Sequence, residues 1–89
     1  MKKSSKYVNK IRSTNVYDVA LKSPITKAVG LSLQYGNNIL LKREDMQPVF
    51  SFKLRGAYNK LSKLYKKGIN RPVIAASAGN HAQGVAFAS

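Results

Sequence analysis

A chain of 89 residues suffices for one small domain with a modest core. With no cysteine and a single histidine, His81, it has no disulfide staple and no thiolate ligands, so no metal site is expected. The net charge of +13 sets 16 Lys and Arg against Asp18, Glu44 and Asp45 and would attract polyanions, yet the basic residues form no stripe with interleaved aromatics, so the charge reads as compositional bias and not as a nucleic-acid site.

Residues 1–13 are polar and basic and read as an N-terminal arm; they lack the apolar run of a secretory signal. No stretch approaches the ~20 apolar residues of a membrane helix. The chain is therefore expected to be soluble, with no membrane partner; the absence of cysteine fits a reducing cytoplasm, the compartment expected for it. Thr14 or Asn15 can cap a short helix carrying Val16, Val19 and Ala20, which must end before Ser23-Pro24. "ITKAVGLSLQYGNN" stays ambiguous: Leu31, Leu33 and Tyr35 alternate, but Gly30 and Gly36 interrupt.

Ile39, Leu40 and Leu41 form a short apolar run between turn signals and read as a buried strand. A loop with Pro48 follows, and Ser51 is a good N-cap. Leu54, Ala57, Tyr58, Leu61, Leu64 and Tyr65 then fall on one helical face, closed by Gly68 and Pro72. Val73 to Ala76 reads as a second strand, "SAGN" as a tight turn, and a helix starts near Asn80, with Gln83 completing a capping-box pattern. Strand, helix, strand, helix is the order of an α/β protein with a parallel sheet. Such a sheet needs both faces covered. Two strands and two helices do not provide this, so the chain reads as the front part of a larger domain.

Two stretches depart from ordinary design. Lys53 sits in the first turn of its helix, where the macrodipole disfavours an ammonium, and Arg55 adds repulsion. Both effects favour the neutral, nucleophilic amine needed to bond an aldehyde or ketone. The bland alternative is a solvated lysine whose stem leans on Phe52. "SAGNHAQG", residues 77–84, joins strand to helix through a small turn whose free N–H groups suit a phosphate or carboxylate. The alternative is a plain capped connection. Gly84, inside the helix, would let another backbone or a ring approach closely. His81 could act as a base, but no carboxylate lies nearby in sequence to orient it, and a structural hydrogen bond is the better reading.

"LKREDMQPVFSFKLRGAYNK" (41–60) followed by "AASAGNHAQGVAFAS" (75–89) closely resembles the biosynthetic threonine dehydratases. These are pyridoxal-phosphate enzymes of the fold type II (tryptophan synthase β-like) group. The resemblance runs over residues 14–89 and includes "SPITKA" (23–28), with Ser23 and Ile25 substituted. It implies the incomplete front part of a fold type II catalytic domain over 14–89, preceded by the arm 1–13. It implies pyridoxal 5'-phosphate held covalently by Lys53, with Phe52 beside the pyridine ring and Asn80 on the ring hydroxyl. Lys53 would also be the catalytic base. The turn of Ser77, Ala78, Gly79, Asn80, His81 and Ala82 would hold the substrate carboxylate. The implied reaction converts L-threonine, with L-serine as the alternative substrate, to the 2-oxo acid and ammonia; for threonine this is 2-oxobutanoate, on the way to isoleucine. The family is homotetrameric. Phe50 stands where the family often has histidine. The family's glycine-rich phosphate loop, the serine that meets the pyridine nitrogen and the regulatory domain all lie past residue 89. The 89-residue chain is accordingly expected to be a truncated piece with little activity alone. The competing expectations are a small basic nucleic-acid-binding module and a non-catalytic interaction domain.

Overall fold

A computed structural model describes residues 2–89. Helix α1 covers Lys2–Arg12, so the expected arm is helical: Tyr7, Val8 and Ile11 share one side, and Lys10 and Arg12 sit at the end the dipole favours for cations. The Ser13 and Thr14 hydroxyls close it, donating to the carbonyls of Lys10 and Ile11 at 2.8 Å each. A 3₁₀ turn, Val16–Asp18, replaces the short helix expected there, with Asn15 in the cap position and Ala20 buried after it.

The ambiguous stretch resolves into β1 (Ile25–Lys27) and helix α2 (Val29–Tyr35), which Gly36 ends in the left-handed conformation at φ 61°. Strand β2 is Leu40–Lys42, one residue later than expected. The Ser32 hydroxyl, buried on α2, accepts the Ile39 N–H at 3.0 Å and holds the α2–β2 connection.

Two corrections concern the sheet. It is antiparallel, not parallel: β1 pairs with β2 in the register Ile25–Lys42, Thr26–Leu41, Lys27–Leu40. The second expected strand, residues 73–76, pairs with nothing among the described residues, and Ile74 is 99% exposed. The apolar content of 39–41 and 73–76 signals a surface to be covered, and within these residues neither run is: Leu40 and Leu41 are also exposed. Periodicity reports the wish for a partner, not the partner's identity. The alternation of helix and strand keeps the chain in the α/β class.

A 3₁₀ turn at Glu44–Met46 leads to helix α3, Lys53–Lys66, and after an irregular stretch to α4, Asn80–Ala88. On α3 the expected face turns inward: Leu54 and Ala57 are buried, Tyr58, Leu61 and Leu64 half-buried, while Tyr65 at the far end is exposed. Full burial of Leu54 stabilises by about 2 kcal/mol. Gly68, at φ 80°, ends α3 in a Schellman motif: its N–H bonds the Tyr65 carbonyl at 2.9 Å and the Ile69 N–H bonds that of Leu64 at 3.1 Å. Helices α3 and α4 make the main contact between elements. No helix among the described residues is long and apolar enough to cross a membrane.

Gln47 ties the two halves of the chain. Fully buried, its Oε1 accepts the Leu21 N–H at 2.8 Å. Its Nε2 donates to the Leu21 carbonyl at 2.8 Å and to Glu44 Oε2 at 2.7 Å. Every amide hydrogen is used, so the burial carries no unmet donor.

Candidate active site

The approach to Lys53 is tightly turned. Phe50 takes a left-handed φ of 60°, rare for a bulky side chain, and its N–H bonds the Gln47 carbonyl at 2.8 Å. The cap position of α3 falls on Phe52, one residue later than expected, yet the Ser51 hydroxyl still accepts the Lys53 N–H at 3.4 Å. Lys53 thus opens the helix, half-buried, with no acidic residue in the first turn. Its Nζ lies 5.3 Å from the centroid of the Phe52 ring, a cation–π distance.

The repulsion expected from Arg55 is redirected. Its Nε meets Glu44 Oε1 at 2.7 Å, half-buried on both sides, and its guanidinium lies 5.3 Å from the Tyr17 ring centroid. Hydrogen bonding and charge from Arg55 lower the Tyr17 phenol below its ordinary pKa. Arg55 therefore serves the packing of the N-terminal segment, and Lys53 is the basic residue that shares a cleft with the turn before α4.

That turn is organised by Ser77, and here the expected capping box fails. Gly79, not Asn80, occupies the cap position, without a side-chain cap bond of its own. The Ser77 Oγ accepts the N–H groups of Gly79 and Ala82, both at 3.0 Å. Gln83 contributes its backbone N–H to the Gly79 carbonyl at 3.0 Å. A hydroxyl three residues upstream of the helix thus satisfies one of its orphan donors. The N–H groups of Ala78, Asn80 and His81 bond no protein acceptor among the described residues and remain available to a ligand.

Lys53 and this turn line one open cleft of about 600 Å³, together with Ala76, Ser77, Ala78, Gly79, Asn80 and His81. Most of the expected site residues are therefore brought together. Phe52, with its ring centroid 5.3 Å from Lys53 Nζ, and Ala82, whose N–H bonds Ser77, do not line the cleft. His81 is exposed, and its imidazole makes no hydrogen bond among the described residues, in place of the structural one expected. Ala76 was not foreseen, because an alanine in an apolar run carries no signal. The cleft joins a primary amine, suited to an aldehyde carbon, to backbone donors and a helix N-terminus suited to an anion. That donor set fits a phosphorylated aldehyde cofactor with an amino-acid substrate.

Residues 16–89 match the family described as pyridoxal-phosphate dependent enzyme, and the chain belongs to that family. Within it, the chain is similar to threonine dehydratases. It is 59% identical over 83 residues to the mitochondrial threonine dehydratase of Saccharomyces cerevisiae, covering 93% of this chain and 14% of that protein. It is 55% identical over 86 residues to the biosynthetic L-threonine dehydratase of Burkholderia multivorans, covering 97% of this chain and 17% of that one. The processed threonine deaminase isoform 2 of Solanum lycopersicum superposes with a TM-score of 0.85 at 53% identity, over 98% of this chain and 24% of its own. The chain thus spans about a seventh to a fifth of the curated relatives' length.

Proposed function

We propose that residues 14–89 are the front part of a catalytic domain that removes water and then ammonia from L-threonine, leaving 2-oxobutanoate, with residues 1–13 as an appended basic segment. The observation that carries this reading is the shared cleft of Lys53 and the 76–81 turn. The threonine dehydratase relatives, 55–59% identical, supply the reaction class.

Bound pyridoxal phosphate supplies the sink for the electron pair left at the substrate's α carbon. The chain's own residues do the rest. Lys53 Nζ would hold the cofactor through its aldehyde carbon, and as a free amine in the same cleft it would serve as the base for the proton on the substrate's α carbon. Asn80 would hold the cofactor's ring hydroxyl, and Phe52, whose ring centroid is 5.3 Å from Lys53 Nζ, would pack near the pyridine ring. The free N–H groups of Ala78, Asn80 and His81, at the positive end of α4, hold the substrate carboxylate. Ser77 keeps that turn in shape. Homo-oligomeric assembly belongs to the same proposal. So does cytoplasmic residence; relatives from yeast and tomato carry mitochondrial and chloroplastic names, and fractionation of expressing cells decides it.

The test places residues 14–89 in the tomato enzyme in exchange for its matching stretch. The hybrid should form 2-oxobutanoate from threonine. Lys53→Ala should lower turnover by about 10³-fold or more, since the general base and the cofactor bond are lost together. A Lys53→Ala hybrid that keeps full activity overturns the reading. The 89-residue chain by itself should turn over little threonine, because its cleft is open to water.

A further inference from the structure

The glycine at position 84 has no conformational reason to be there. It lies inside α4, where glycine costs about 1 kcal/mol relative to alanine. Its backbone does not take the left-handed form. What it has is a neighbour. A Cβ at Gly84 would stand 3.0 Å from both the carbonyl carbon and oxygen of Lys53 and 3.2 Å from the Leu54 nitrogen. All three are backbone atoms, so no side chain can swing aside. Gly56, on the partner helix α3, has nothing within 4 Å of the same position. The two glycines look alike in sequence and differ entirely in setting.

Position 84 is one turn past Asn80, so both lie on the same face of α4. That face seats on the peptide of Lys53 at one level and presents Asn80 and its turn to the cleft at the next. The depth to which α4 seats therefore sets the distance between the lysine amine and the groups facing it. We infer that Gly84 is a positioning residue: its missing side chain fixes the spacing between Lys53 and the 77–81 turn. The inference rests on the reading of Lys53 as the cofactor lysine.

An alanine at 84 must move the Lys53 peptide, or α4 with its turn, by a few tenths of an ångström; a valine must move it further. Misplacement of a reacting group by about 1 Å costs on the order of 10²-fold in rate. Gly84→Ala should therefore slow reaction at Lys53 about 3- to 10-fold, and Gly84→Val about 100-fold.

The experiment uses the tomato hybrid freed of cofactor. Pyridoxal 5'-phosphate is added, the bond to lysine is fixed by borohydride at timed intervals, and peptide mapping reads the rate of capture at Lys53. Ordered slowing through Gly84→Ala and Gly84→Val, with Gly56→Ala capturing at the parent rate, supports the inference. Equal rates in all variants overturn it. Leu61→Ala loosens α3 away from the lysine. If it slows capture as much as Gly84→Ala, the effect is general loosening and the inference is overturned. Circular dichroism checks each fold, and if the valine variant is unfolded the alanine variant decides. A parent hybrid that captures at other lysines and not at Lys53 removes the cofactor reading itself, and the inference falls with it.

Discussion

Tyr17 and Tyr58 show how far single contacts shift chemistry on an exposed surface. The Arg55 guanidinium, 5.3 Å from the Tyr17 ring centroid, lowers the phenol's pKa from 10.0 through polar contact and charge. Tyr58 donates to Asp18 at 2.9 Å, and that bond, with the nearby carboxylate, raises its pKa from 10.0. The signs oppose. Tyr17's contribution to stability grows as pH rises through its folded pKa and is complete above 10.0; Tyr58's is complete below 10.0 and is lost as pH rises through its folded pKa. A tyrosinate absorbance titration should lose a component below 10.0 in Tyr17→Phe and one above 10.0 in Tyr58→Phe. The same losses in both variants would contradict the assigned partners.

At the scale of elements, Gln47 is the test of how the N-terminal segment is held to the loop before α3. Gln47→Leu keeps the volume and strips both bonds to the Leu21 peptide and the bond to Glu44. Leaving these groups unmet should cost about 2–3 kcal/mol in urea unfolding of the hybrid. Neighbouring elements differ in how plainly residues announce them. Helix α3 was legible because six apolar positions keep one face and Gly68 marks the end. Strand β1 was not, since three residues carry no usable period, and its partner in the ladder is a long-range choice. Helix α1 hid behind its polarity: with only Tyr7, Val8 and Ile11 as a stripe, it resembles a solvated arm. In the site, Lys53 and the 77–81 turn stood out by breaking local rules. Ser77's capping bonds and the salt bridge between Glu44 and Arg55 did not, because each depends on where a loop brings a side chain.

At the scale of the whole molecule, net charge sets the response to salt. A net +13 on 89 residues, with two ion pairs among the described residues, leaves most cations unpaired. Self-repulsion of this size works against any compact form. Raising sodium chloride from about 0.01 M to about 0.15 M shortens the screening length from about 30 Å to about 8 Å. The urea midpoint of the chain, or its helical signal, should rise over that interval. A flat response would mean that the lysines are far enough apart to ignore one another.

Ile74 stands 99% exposed in a run that no strand joins. Inside a cell, such a bare aliphatic edge is what chaperones grip and proteases enter by. Whatever surface closes over residues 73–76, from the same polypeptide or another, would shield that edge from both.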